Sequence, residues 1–123
     1  MEKFQLLKDS FKKHAQTEYP KEACAIITKD FEYIPCENIS SDPNNSFFID
    51  PIKLMEYEDN CWGFIHSHPD DIPTPSPMDG KKITTEEFKY LVGWDEEIYL
   101  YWYDEDLKST RFKPFTEECL GEN

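Results

Sequence analysis

CWGFIHSHPDDIPTPSPMD, Cys61 to Asp79, is the stretch that carries both the architecture and the chemistry of this chain. Its first part, Cys61 to Ser67, is apolar until its last residues, as a central strand reads when its end opens into a cleft. His66 and His68 stand at that end, and side chains at i and i+2 of a strand share one face. One cation can take both imidazoles. The proline-rich loop from Asp70 to Pro75 is too stiff to wander far, and a carboxylate arriving from the next segment, Asp79, is taken as a third N/O ligand. Three protein ligands leave a tetrahedral zinc with a position for water, the arrangement of catalytic rather than structural sites. Two of the three histidines in the chain fall in this one pattern, which favours a metal site over a pair of ordinary strand histidines.

Ser76-Pro77-Met78-Asp79 also spells a capping box, with Ser at the N-cap, Pro at the first helical position and an acid at N3. Gly80 makes it a poor helix opening. The capping and ligand readings are compatible, because a helix start fixes the direction of a carboxylate, and a metal ligand needs rigid support.

Working outward, Phe4, Leu7, Phe11 and Ala15 recur at helical spacing and predict a first helix over about residues 3–17, closed by Pro20. Ala23 to Thr28 reads as a buried strand, with Phe31 to Pro35 pairing back on it. Ser40 to Asn45 is a loop by composition, and Phe47 to Ile49 is an extended piece. Asp50 caps a short helix that starts at Pro51 and runs toward Asp59. Downstream, Thr84-Thr85-Glu86-Glu87 offers a capping signal for a helix through Val92, with Gly93 as its stop. Glu97 to Tyr103 and Lys108 to Phe115 form a terminal hairpin across Asp104-Glu105-Asp106. The aromatic run Tyr99, Tyr101, Trp102 and Tyr103 belongs to that strand, and His14 lies on the flank of the first helix.

The 123 residues suffice for a single domain, 1–123, with one core, and 38% hydrophobic content supplies the material for it. No apolar run is long enough to span a membrane, and the amphipathic N-terminus lacks the features of a secretory signal. The expectation is a protein cytoplasmic at its site of synthesis. Cys24, Cys36, Cys61 and Cys119 are scattered and read as reduced, buried thiols. A net charge of -13 repels phosphates, so neither nucleic acid nor membrane is an expected partner.

A zinc-water site needs a general base. Glu22 stands at the entrance to a buried strand beside Ala23 and Cys24, but spacing does not choose it over Glu37, Asp70 or Asp71.

From Pro20 to Asp79 the chain resembles the JAMM (MPN+, JAB) zinc metallopeptidases of prokaryotic and phage type. Pro20-Lys21-Glu22-Ala23-Cys24 looks like the family's Pro-x-Glu-x-Cys-Gly, with Ala25 where the family usually has Gly. Asn38-Ile39-Ser40 looks like its Asn-x-Ser, and Phe47 to Asp50 like its Phe-x-Ile-Asp. The most specific signature is His66-Ser67-His68-Pro69, then Pro75-Ser76, then Asp79. The resemblance implies an α/β, three-layer-like (cytidine-deaminase-like) fold, with a mixed central sheet flanked by helices. It implies that His66, His68 and Asp79 hold Zn2+, that Glu22 is the general base and that Ser76 helps stabilise the oxyanion. The implied reaction is hydrolysis of a peptide or isopeptide bond in a protein or peptide, such as a ubiquitin-like tail or a phage structural protein. Asp70 and Asp71 would border the substrate groove.

Two rival readings come from other classes. Related domains without the metal residues serve as binding or assembly modules, and a two-His-one-carboxylate set also suits iron oxygenases. The latter usually place His-x-Asp/Glu with a distant His, the reverse of the order here.

Overall fold

The computed structural model describes residues 2–83 and 87–121. Along the chain run α1 (Glu2–Glu18), β1 (Cys24–Ile27), β2 (Tyr33–Cys36), α2 (Pro51–Glu56), β3 (Gly63–Ser67), α3 (Pro77–Lys81), β4 (Lys89–Trp94), β5 (Glu97–Asp104) and β6 (Ser109–Pro114). A 3-10 turn at Glu117–Gly121 follows. The strands form one six-stranded sheet in the order β2-β1-β3-β4-β5-β6. Among the described strands only β3 and β4 run parallel, so the sheet is mixed and the architecture α/β, as the resemblance implies.

Alternation along the strands divides the core in two. Leu7, Phe11 and Ala15 of α1 cover one face of the sheet, against Ala25, Ile27, Ile65, Leu91 and Leu100. Burying one such large side chain contributes about 1.5–3 kcal/mol. The other face carries Cys24, Ile26, Phe64 and the residues of the 47–57 segment. Asp50 caps α2 by accepting from the Ile52 N–H, and α3 lies against β5 and β6. All four cysteines are buried free thiols. Among the described residues no helix is long and apolar enough to cross a membrane.

One expected element is wrong. The capping signal at 84–86 lies outside the described residues, but Lys89 to Val92, expected as helix, belongs to β4. Leu91, Val92 and Gly93 are consecutively buried between β3 and β5. A strand covered on both faces shows a continuous apolar run, which periodicity cannot separate from a buried helix segment. Gly93 is not a stop either. A Cβ there would lie 2.5 Å from the Glu97 carbonyl oxygen, so the close β4–β5 approach requires a residue without one.

Candidate metal centre

β3 points His66 to the face that carries Cys24, its direct partner on β1. The imidazole is 1% exposed and stacks on Phe47 with ring centroids 4.4 Å apart. His68 lies one residue past the strand, yet its N–H donates to the Gly93 carbonyl at 2.9 Å, which carries the β3–β4 ladder to the site. The strand that the sequence pattern disguised therefore holds the second histidine. His68 Nδ1 lies 3.1 Å from the Ile72 carbonyl oxygen. An Nδ1–H donated there leaves the Nε2 lone pair for a cation, the usual outer support of a metal-binding histidine.

Asp79 arrives on α3, and both readings of it hold together. Its N–H donates to Ser76 Oγ at 3.2 Å and its Oδ2 accepts from the Ser76 N–H at 2.9 Å, which completes the capping box. Its two oxygens lie 3.1 Å from His66 Nε2 and 3.1 Å from His68 Nε2. One ligand atom from each of the three residues falls within 4.8 Å of the others. Gly80 does not spoil the helix start, contrary to the sequence expectation. It brings α3 close to β6, where an added Cβ would stand 1.9 Å from Thr110 Oγ1.

The electrostatics follow from burial and this geometry. Burial lowers the His66 pKa and favours the neutral imidazole that binds metal. Burial opposes charge on His68 as well, but Asp79 and the Ile72 carbonyl outweigh it and raise its pKa. Burial alone would raise Asp79, yet hydrogen bonds with the two histidines hold it far below the usual carboxylate range. The donor set, two nitrogens and a carboxylate oxygen converging on one point, fits a zinc-type cation and could bind a metal.

Glu22 lines a polar pocket of about 160 Å³ together with His68, Ser76 and Asp79. Burial pushes its carboxyl up to about 7, and the His68 charge draws it back down. Of the alternatives open to sequence reading, Asp71 lines the same pocket but is exposed. Asp70 instead accepts a hydrogen bond from the Tyr19 hydroxyl, and Glu37 is exposed away from the pocket lining.

Several residues of the site have roles that the sequence reading did not assign. The buried Asn38 amide donates to the carbonyls of Glu22, Pro43 and Ser46, while its oxygen accepts from the Ser40 and Phe48 N–H groups. Ser67 Oγ accepts from the Ala23 N–H at 2.8 Å and ties the base of Glu22 to β3. Lys82 joins the pocket lining, its ammonium 3.2 Å from the Phe47 carbonyl oxygen. Asn38 and Ser67 stand inside motifs that carry the resemblance, and Lys82 falls one helical turn after Asp79.

The profile of prokaryotic homologs of the JAB domain matches residues 5–111, from the first turn of α1 into β6. The chain is 32% identical over 96 residues to the tail tip assembly protein K of Escherichia phage N15, covering 72% of this chain and 39% of that protein. It therefore spans well under half of the phage relative's length. It is 26% identical over 102 residues to a desampylase of Haloferax volcanii, covering 69% of this chain and 73% of that protein. Among solved structures, a protein from Desulfitobacterium hafniense shares the fold at a TM-score of 0.62 with 18% identity, covering 97% of both chains. A Salinibacter ruber protein does so at 0.53 with 16% identity, covering 89% of this chain and 85% of the other. The chain belongs to the prokaryotic JAB-domain family.

Proposed function

We propose that residues 1–123 form one catalytic domain, a zinc-dependent hydrolase of the JAMM type that cleaves a peptide or isopeptide bond in a protein or peptide substrate. The observation that carries this reading is the pocket of about 160 Å³ in which Glu22 and Ser76 meet His68 and Asp79. His66, His68 and Asp79 would hold the zinc, which when bound supplies Lewis acidity and a water of lowered pKa. Glu22 takes the proton of the attacking water and returns it to the departing amine, a role suited to a carboxyl pushed to about 7. Ser76 Oγ accepts the Asp79 N–H as a helix cap, which leaves its own O–H free to donate to the developing oxyanion. His68 Nδ1, held at Ile72, fixes the imidazole in the orientation the metal needs.

The two relatives suggest two substrate settings, a protein conjugate as implied by the word desampylase and a tail-assembly protein of a phage. Both present an amide to the same centre. The deciding experiment compares purified wild type with Glu22→Ala and His68→Ala. Glu22→Ala should keep near-stoichiometric zinc by elemental analysis and lose hydrolysis, whereas His68→Ala should lose both. Full activity in Glu22→Ala would overturn the assignment.

A further inference from the structure

A second compartment lies on the same sheet face as the metal centre. His66 and Phe64 are two residues apart on β3 and so point to one side. Along that side runs an apolar groove of about 640 Å³, walled by Phe47, Leu54, Phe64, Phe88, Tyr90 and Tyr101. His66 is part of its lining, and Lys82 lines both this groove and the polar pocket of Glu22 and Asp79. The ammonium of Lys82 sits 4.4 Å from the centroid of the Phe47 ring, which stacks on His66, so this cation stands at the junction of the two compartments. Phe48 and Met55 at the rim are 54% and 69% exposed, so the groove opens to solvent.

We propose that this groove is a subsite for a large aromatic or aliphatic side chain of the substrate, beside the amide held at the metal centre. The proposal rests on the hydrolytic reading above and adds the class of residue the substrate must carry. Its volume falls in the range of ligand pockets, about 300–1,000 Å³, and such pockets are apolar with a few fixed polar groups, here Lys82. Continuity with the metal centre decides the occupant. A side chain entering beside Lys82, which both compartments share, keeps its own backbone next to the polar pocket. A tail made of glycines leaves the groove empty. Burying one large apolar side chain there should favour the substrate by about ten- to a hundredfold over glycine.

The methionines give separate reporters, because Met55 lines the groove and Met78 the polar pocket. Methyl-13C-methionine spectra of the zinc-loaded protein are recorded during titration with acetyl-Gly-Phe-Gly-amide and with acetyl-Gly-Gly-Gly-amide, and cleavage of each is followed by mass spectrometry. The proposal expects a saturable shift of the Met55 signal with the Phe peptide, at an affinity at least tenfold above the Gly peptide. Met55→Trp, at an exposed rim position, should abolish that advantage, read in this variant at Met78, and leave the Met78 response to the Gly peptide unchanged. A Met55 signal that is silent, or equal for both peptides, overturns the subsite. Selective Met55 shifts without any cleavage support the subsite and overturn hydrolysis of linear peptides by this centre; equal cleavage of both peptides with a silent Met55 does the reverse.

Discussion

The side-chain amide of Asn38 donates to the backbone carbonyl of Glu22 at 2.9 Å, and the same side chain gathers the loop at Pro43, Ser46 and Phe48. Glu22 is anchored from the other side by its own N–H, which donates to the Pro43 carbonyl at 2.7 Å. The position of the candidate base thus depends on one buried amide.

Asn38→Ala strips the partner from several backbone groups at once, and each one left buried and unsatisfied costs about 1–3 kcal/mol. We expect a loss of at least about 3 kcal/mol in urea denaturation. The zinc content of the folded fraction should be retained while hydrolysis falls, since the amide touches no residue of the His66, His68 and Asp79 group.

The raised Glu22 pKa makes stability depend on pH in a definite direction. The folded value of about 7 lies above the ordinary 4.5, so its contribution is complete below 4.5 and is lost as pH rises through 7. Glu22→Gln removes this loss. In metal-free protein the variant should exceed wild type by about 2–3 kcal/mol at pH 8, with a much smaller difference at pH 5, by chemical denaturation. Zinc should shrink the pH 8 difference, because a nearby cation favours the ionised carboxylate.

Zinc bound to the folded state alone stabilises it by mass action, by about 3 kcal/mol at a hundredfold excess over Kd. Asp79→Asn keeps the shape but removes the anionic ligand. Differential scanning fluorimetry with zinc and with chelator should show a large Tm rise in wild type and almost none in this variant.

Ser76 has two duties that substitution can separate. Ser76→Ala loses the cap, at about 1 kcal/mol of stability, and loses the hydroxyl donor, at about a hundredfold in kcat. Ser76→Thr should retain both. If the cap were its only duty, Ser76→Gly would restore most of the activity, since glycine caps nearly as well.

Gly80 and Thr110 should be coupled. Gly80→Ala drives a Cβ into Thr110 Oγ1, and relief by moving α3 displaces Asp79. Overpacking of this kind costs about 1–3 kcal/mol, and zinc affinity should weaken with it. Thr110→Ala leaves the nearest remaining atom at 3.2 Å, so the double variant should recover most of both losses in a mutant cycle.

Much of this molecule is legible in its residues. The α1 periodicity, the β1–β2 hairpin, the Asp50 cap and the β5–β6 hairpin are set by short-range chemistry, and all appear where their residues place them. The β4 strand was not legible, because Lys89 to Trp94 owes its conformation to pairing with β3 and β5 rather than to any local pattern. The contacts of Ser67 and Lys82 were not legible for a similar reason. Their roles are contacts with Ala23 and Phe47, far away in the chain.

The metal group shows where the boundary lies. Sequence alone determined that His66 and His68 share a face, because strand alternation is a local rule, and that Ser76 and Asp79 can cap a helix, because the capping box spans one turn. It could not determine that the cap aims the Asp79 carboxylate between the two Nε2 atoms. That depends on α3 seating Gly80 against Thr110 of β6. Nor could it bring Glu22 to the same pocket, which the β1–β3 register and the Asn38 amide achieve across the fold. Local stereochemistry chooses the donors; only long-range packing, which no spacing encodes, makes them converge.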